Sequence, residues 1–380
     1  MLQKISKTKS SKAIACLSFA LLLFSCSKAS IEASYRGGSI SEDEKFGTAN
    51  LTITQDGFEA LGFSLGDSCD VAFSNGAFYS DVPYYNGYYV RNGEPVIVAY
   101  PSSDHLLVTL NNVGIWGEAK LDESCTVDIT LKEKGKYLAI QETLGQSYSL
   151  DRSAYSSDEE FSNFRSLQGG KLKSGLIYRG ASPFDNSRKR ASLTDALLEK
   201  NGIQSIVDLA DGEGDMNYYL SQSDFASPYS KALYRDGKVA LLGMGSSYMS
   251  LSYKQSVATG IRHMLSTPSP YYIHCMEGKD RTGFVCTLFE ALSGASYEEM
   301  ESDYMRTYEN YYKVSKEKDE EKYEAIKSLY FDSFCQCLYG EEEEEALKKA
   351  SYAEPARNYL SEGGLSESEI SSFISLICNR

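Results

Sequence analysis

The sequence predicts an α/β fold in which a parallel central sheet is flanked by helices, with a small all-β module placed before it. Three observations carry that reading. Beyond about residue 160, strand-like and helix-like segments alternate, which implies parallel strands joined by crossover helices. Between about Asn50 and Gln141, short β-branched or alternating runs are separated by turn residues. A length of 380 residues with 42% hydrophobic and 24% charged side chains suits a globular chain of two domains, and excludes global disorder, collagen and disulfide miniproteins. The expected organisation is a leader over residues 1–25, an all-β module over 26–150, an α/β domain over 151–340 and a helical C-terminal extension over 341–380.

The leader carries Lys4, Lys7, Lys9 and Lys12, followed by an apolar stretch from Ala13 to Phe24 that is too short to span a bilayer. It ends Leu23-Phe24-Ser25-Cys26, which resembles the bacterial lipobox. That resemblance implies cleavage before Cys26, acylation of the cysteine, and a lipid anchor on the outer, extracytoplasmic face of the bacterial cell membrane. Loss of the leader leaves 34 basic against 53 acidic side chains, a net charge of −19. Such an acidic surface argues against nucleic acid as a partner. Of the nine cysteines, Cys16 leaves with the leader and Cys26 takes the lipid. Cys69, Cys125, Cys275, Cys286, Cys335, Cys337 and Cys378 remain, and setting Cys275 aside leaves six that could pair or stay free.

In the β module the expected strands are Leu51-Thr52-Ile53-Thr54, Val96 to Tyr100, Leu106 to Leu110 and Thr126 to Leu131. Tyr79, Tyr84, Tyr85, Tyr88 and Tyr89 crowd one part of it and are expected to pack a small core and its rim. The module shows no chemistry of its own. Downstream, Leu193 to Lys200 reads as a helix, Ile203 to Leu209 and Val239 to Leu242 as strands, Ser252 to Leu265 as a helix, and Tyr271 to His274 as a strand entering a loop. Phe284 to Leu292 reads as an apolar helix closed by Gly294, and Ser296-Tyr297-Glu298-Glu299 as a capping box for the next. Lys316 to Leu338 is expected to continue as one helix.

The informative segment is His274-Cys275-Met276-Glu277-Gly278-Lys279-Asp280-Arg281-Thr282-Gly283. A cysteine followed after five residues by arginine, between a strand and a helix, suits phosphoryl transfer. So short a loop curls with its N–H groups inward, and the following helix adds its positive end, which makes an oxyanion cradle. The same field favours the thiolate of Cys275. Arg281 can hold two phosphate oxygens at once, and Gly278 permits a backbone conformation closed to bulkier residues. A nucleotide-binding P-loop is excluded, since Asp280 stands where Ser or Thr is required.

This segment resembles the signature loop of the cysteine-dependent protein tyrosine phosphatase superfamily. Its Gly-Lys-Asp-Arg-Thr core is similar to the bacterial branch that mixes tyrosine and phosphoinositide phosphatases. The likeness extends upstream through Asn163-Phe164-Arg165, Gly169-Gly170 and Gly175 to Ala181, and ends near Asp303-Tyr304-Met305, so it covers about residues 160–312. There are departures: Ser166 stands where an aspartate is usual, and Ala210 where an arginine follows Val207-Asp208-Leu209. The resemblance implies a tyrosine phosphatase-like fold and the following roles: Cys275 as nucleophile, Arg281 as phosphate clamp, His274 as loop organiser, and Thr282 as the hydroxyl that eases departure of the thiolate. Met276, Glu277, Gly278 and Lys279 complete the phosphate-binding loop, with Lys279 a positive charge at the rim and Glu277 expected to point outward.

A phosphomonoester needs its leaving oxygen protonated. Asp280 is the first candidate for that acid, with Asp211 and Asp208 as alternatives. The implied chemistry needs no cofactor. No metal site is expected, because His105 and His263 are isolated and Asp211-Gly212-Glu213-Gly214-Asp215, read as a mobile loop, lacks a calcium-loop register. The expected substrate is phosphotyrosine in proteins, with a phosphoinositide or inositol polyphosphate as the alternative. A surface-displayed binding protein with a dead phosphatase fold is a third reading, against which the intact Cys275 and Arg281 argue. Residues 165–190 hold seven basic side chains and one acidic, which is expected either to offset the acidic surface near the pocket or to be a solvated stretch.

Overall fold

The computed structural model describes residues 33–100, 103–145, 147–340 and 343–379. The leader and the lipidation candidate Cys26 lie outside them, as does part of the acidic run that starts at residue 341. No helix among the described residues is long and apolar enough to cross a membrane.

The first module is a closed barrel of seven strands: β1 (Ser34–Asp43), β2 (Thr48–Leu51), β3 (Ser68–Phe73), β4 (Phe78–Tyr85), β5 (Pro95–Val98), β6 (Leu107–Leu110) and β7 (Thr126–Glu133). They close in the order β1-β2-β6-β5-β4-β3-β7, antiparallel except for the β4–β5 pair. Closure removes the unpaired edges that an open sheet this small would expose. Inward residues such as Val71, Val82, Ile97, Val108, Val127 and Ile129 are fully buried, and Phe58 stacks on Phe63 at 3.9 Å to fill one end. The expected strand at Leu51 to Thr54 ends at Leu51. Thr54 instead caps a short helix, its hydroxyl accepting from the Gly57 N–H at 3.1 Å.

The second sheet has the order β11-β10-β12-β9-β8, formed by β8 (Arg165–Ser166), β9 (Ile177–Gly180), β10 (Ser205–Asp208), β11 (Val239–Leu241) and β12 (Tyr271–His274). It is mixed rather than parallel throughout: β9 to β12 run parallel, and β8 pairs antiparallel with β9. The cause is the connection. A loop of only ten residues, 167–176, joins β8 to β9 without a crossover element, which a parallel pairing would need. The helix Leu251–Ser266 and the helix Asp280–Leu292 flank this sheet, and the last two helices, Ala353–Glu362 and Glu367–Ile377, pack onto them. Phe373 meets Phe289 with ring centroids 4.8 Å apart.

The helix expected over Lys316 to Leu338 begins only at Glu320 and contains a π turn. The preceding helix, Tyr297–Tyr312, stops at Lys313, which is left-handed at φ 60°, and the chain resumes as Glu320–Ile326, a wide π turn over Lys327–Phe331, and Asp332–Tyr339. Phe331, at the end of the π turn, and Phe334 both face inward, onto Tyr297 and Tyr304. All seven described cysteines are free thiols.

The barrel and the sheet share a core. Tyr85, Tyr89, Val90, Val96 and Val98 of the barrel belong to the same buried cluster as Tyr248, Phe284 and Phe334 of the α/β part. The tyrosine-rich stretch therefore packs as expected of amphipathic rings, and much of what it packs against is the other module.

Candidate active site

Register builds the site. Asp208 of β10, His274 of β12 and Gly180 of β9 stand side by side at the carboxyl ends of three parallel strands, where open α/β sheets place their ligands. Beyond His274 the chain turns through Cys275 to Lys279 and enters the helix at Asp280. Gly278 has φ +67°, and a Cβ there would lie 2.2 Å from the Gly180 carbonyl oxygen, so only glycine fits.

The loop's carbonyls are tied from outside. The Met276 carbonyl accepts from the Ser182 N–H at 3.1 Å and the Glu277 carbonyl from the Tyr311 hydroxyl at 2.8 Å. The Gly278 carbonyl accepts from Asn163 Nδ2 at 3.1 Å and Arg179 Nη2 at 2.9 Å. Among the described residues, no backbone N–H from Met276 to Arg281 donates to a backbone carbonyl. With the carbonyls turned outward and the N–H groups left over at a helix start, the loop is an anion cradle. Cys275 lies at its base, 4% exposed.

Sequence reasoning saw Asn163, Arg165, Arg179 and Asp303 only as marks of resemblance, and the structure gives them work. Asp303 accepts from Arg165 Nε at 2.6 Å and from Arg179 Nη1 at 2.5 Å, and the two arginines and Asn163 thereby brace Gly278. The basic stretch over 165–190 is in large part consumed in this way. Arg188 Nε pairs with Glu277 Oε1 at 3.2 Å, and the buried Arg190 guanidinium lies against the stacked rings of Tyr148 and Tyr311, at 4.7 and 4.3 Å from their centroids. Glu277 accordingly does not point outward. It is buried, and takes a hydrogen bond from the Tyr148 hydroxyl as well. Burial alone would raise its pKa, but Lys279, Tyr148 and Arg188 outweigh that and hold it low.

Three carboxyls were candidates for the acid. Asp208 and Asp211 sit behind His274, both buried. Burial pushes Asp208 up to about 6, and burial together with the neighbouring Asp208 pushes Asp211 up to about 8. Burial also pushes His274 down to about 4, so at neutral pH its ring is uncharged, and the 3.7 Å approach to Asp208 is neither an ion pair nor a hydrogen bond. His274 Nδ1 lies 3.2 Å from the Cys275 carbonyl oxygen, a local contact consistent with organising the loop. The stretch Asp211 to Asp215 is a helix start, not a mobile loop: Asp215 Oδ2 accepts from the Gly212 N–H at 2.9 Å and opens the helix Glu213–Ser221.

Asp280 differs from the other two. Its side chain is 47% exposed and lines a cavity of about 570 Å³ that opens to solvent. The surrounding protein raises its pKa, with Glu277 adding to the effect against Lys279. Lys279 and Arg281 line the same cavity. The Lys279 ammonium lies over the rings of Tyr308 and Tyr312, and although burial opposes its charge, Asp280 and those tyrosines hold its pKa well above the lysine value. Neither Asp208 nor Asp211 lines the cavity, and Cys275 does not line it either: the cavity meets the loop at its Lys279 to Arg281 end. The Thr282 hydroxyl is fully buried and has no hydrogen-bond partner among the described residues.

The opposite wall of the cavity is the barrel, with Phe46, Tyr88, Tyr100 and Asn112 among the residues that face it. Sequence reasoning assigned the β module no chemistry, and no local signal could have shown otherwise, because the juxtaposition exists only in the folded chain. No cluster of His, Cys, Asp and Glu able to hold a metal ion occurs among the described residues.

A strand, a cysteine-bearing anion loop and a helix, closed by arginine, define a cysteine-dependent phosphatase site. The chain belongs to the tyrosine phosphatase family, which it matches over residues 158–377. That span takes in most of the C-terminal helices as well as the loop. No curated protein matches the chain. Among solved structures, it is similar to an uncharacterized conserved protein from Thermotoga maritima, with 18% identity over 25% of this chain and a TM-score of 0.21; the likeness spans 35% of that protein's length. It is also similar to the core catalytic domain of the PP-IP phosphatase SIW14 from S. cerevisiae, solved with citrate, with 21% identity over 38% of this chain and 75% of that one, and a TM-score of 0.26.

Proposed function

We propose that this protein hydrolyses phosphomonoesters through a phosphocysteine intermediate, and that its substrate is a small ester of the inositol phosphate class, held inside the cavity and bearing few phosphates. The observation that carries the reading is that Lys279, Asp280 and Arg281 together line one recessed cavity whose opposite side is formed by the barrel. Phosphotyrosine on a folded protein surface would have to reach past that wall. The cations also set a limit. Arg188 is engaged by Glu277 and Lys279 stands 3.7 Å from Asp280, which leaves little positive charge for a densely phosphorylated ring.

In the first step the Cys275 thiolate attacks phosphorus, the bond to the ester oxygen breaks, and Asp280 gives that oxygen its proton. The loop N–H groups and Arg281 hold the three equatorial oxygens as charge spreads over them. In the second step the Asp280 carboxylate takes a proton from water, the resulting hydroxide attacks the phosphocysteine, and the thiolate leaves. The orphaned Thr282 hydroxyl is available to donate to it.

A second reading keeps phosphotyrosine in peptides as substrate, favoured by the rings of Tyr88, Tyr100, Tyr148 and Tyr312 around the cavity, which would pack against a phenol. The test is kcat/KM of wild type and Cys275→Ser on inositol monophosphate, inositol hexakisphosphate and a phosphotyrosine peptide. The proposal expects the monophosphate to be preferred about tenfold or more and Cys275→Ser to be inactive on all three. Preference for the peptide would establish the second reading, and equal release by wild type and variant would remove Cys275 as nucleophile.

A further inference from the structure

One barrel segment that reaches the phosphate site is the turn Asp43 to Gly47, between β1 and β2. The turn is tightly built. The Asp43 carbonyl accepts from the N–H groups of Phe46 at 3.1 Å and Gly47 at 2.7 Å, and Asp43 Oδ1 accepts from the Lys45 N–H at 3.0 Å. The Gly47 carbonyl in turn accepts from Ile115 and Trp116 at 2.7 and 2.9 Å, fixing the turn to the barrel. From it, the Lys45 ammonium donates to the Ala210 carbonyl, on the loop that carries Asp208 and Asp211. The turn's backbone also lies against Gly245, where a Cβ would come 2.6 Å from the Lys45 carbonyl oxygen.

Next to Gly245 is Met244, whose carbonyl accepts from Arg281 Nη1 at 2.9 Å. The Arg281 guanidinium lies over the Phe46 ring, 5.8 Å from its centroid. Arg281 is therefore held at two points, one N–H on Met244 and its face towards Phe46. No other hydrogen bond from its guanidinium to the protein occurs among the described residues, and the rest of the group faces the cavity.

We propose that Phe46, supplied by the barrel, is a positioning residue for the phosphate clamp: its ring holds Arg281 in the orientation that meets the oxyanion, so the barrel is a component of the catalytic centre. This rests on the reading of Cys275 and Arg281 as a phosphate site. A cation over an aromatic face is an attractive contact even without a direct bond, and it strengthens where water is excluded. A restrained guanidinium also loses less freedom when the phosphate arrives.

The experiment compares full-length wild type with Phe46→Ala, Phe46→Leu and Phe46→Tyr, measuring calorimetric affinity for inorganic phosphate, kcat and KM for p-nitrophenyl phosphate, and thermal midpoint. Phe46→Tyr keeps the ring and should bind phosphate as wild type does. Phe46→Leu keeps the bulk without the π face, so its midpoint should stay near wild type while phosphate affinity falls about 3- to 30-fold and KM rises in step, with kcat changed less. Phe46→Ala should lose affinity at least as far. Wild-type affinity in Phe46→Leu and Phe46→Ala, with phosphate bound normally by the parent, would overturn the proposal and leave the site reading intact. Failure of the wild type itself to bind phosphate would overturn both.

Discussion

Asp280 and Asp211 show how two aspartates with raised pKa values can divide labour by position alone. Both have raised pKa values, but only Asp280 faces the cavity, and a general acid must reach the leaving oxygen before its pKa matters. The acid must be protonated to act, so activity should fall as pH rises through the raised Asp280 pKa. Asp280→Asn should lose that descending limb on inositol monophosphate, with kcat/KM down about 10²- to 10⁴-fold, and lose less on p-nitrophenyl phosphate, whose leaving group hardly needs a proton. An unchanged profile would move the role to Asp211 or Asp208. Asp211 carries a stability signature instead. Its native pKa of about 8 exceeds the ordinary aspartate value, so the native state binds the extra proton. Stability is then full below pH 4 as far as this group is concerned, and is lost as pH climbs towards 8, at up to about 1.4 kcal/mol per pH unit. In Asp211→Asn, neutral at every pH, denaturant unfolding at pH 5, 6.5 and 8 should show a flatter dependence than wild type; equal slopes would refute the shift.

The loop from Cys275 to Lys279 is the element on which the site turns, and its shape is imposed by neighbours distant in sequence. Gly278→Ala puts a methyl into the Gly180 carbonyl and a side chain at φ +67°. Displacing the cradle by an ångström should cut kcat/KM about 100-fold or more, visible in steady-state assays even if the thermal midpoint moves only modestly; near-wild-type activity would show that the loop does not need this conformation. The loop was legible in the sequence because its chemistry is local: a cysteine, a glycine and an arginine at fixed spacing between an apolar strand and an apolar helix. What braces it was not. Arg179 and Asp303 are 124 residues apart and meet only when β9 and the helix Tyr297–Tyr312 close on the loop. Glu277 was misplaced for a related reason: its partners Tyr148 and Arg188 come from two other segments, and without them a buried carboxylate in an anion loop is unreasonable. Strands β1 and β3 went unread because their sequences, SYRGGSISED and SCDVAF, break the apolar alternation with glycines and acids.

On the scale of the whole molecule, the change from sequence to structure is in how the two modules relate. Read along the chain, an all-β piece with no chemistry precedes a phosphatase-like domain. Folded, the barrel's tyrosines share that domain's core, its β1–β2 turn lies against Met244-Gly245 and Arg281, and its residues form one side of the cavity that Asp280 lines. The acidic charge, which argues against nucleic acid as a partner, is met at the cavity by Lys279 and Arg281, which line it beside Asp280. The claim on which everything else stands is that phosphate passes through Cys275. The direct measurement is rapid acid quench of the wild-type protein during turnover of p-nitrophenyl phosphate, followed by peptide mass spectrometry. The account predicts phosphate covalently attached to the peptide containing Cys275, and absent in Cys275→Ser; turnover with no phosphorylated peptide, or with the phosphate on another residue, would contradict it.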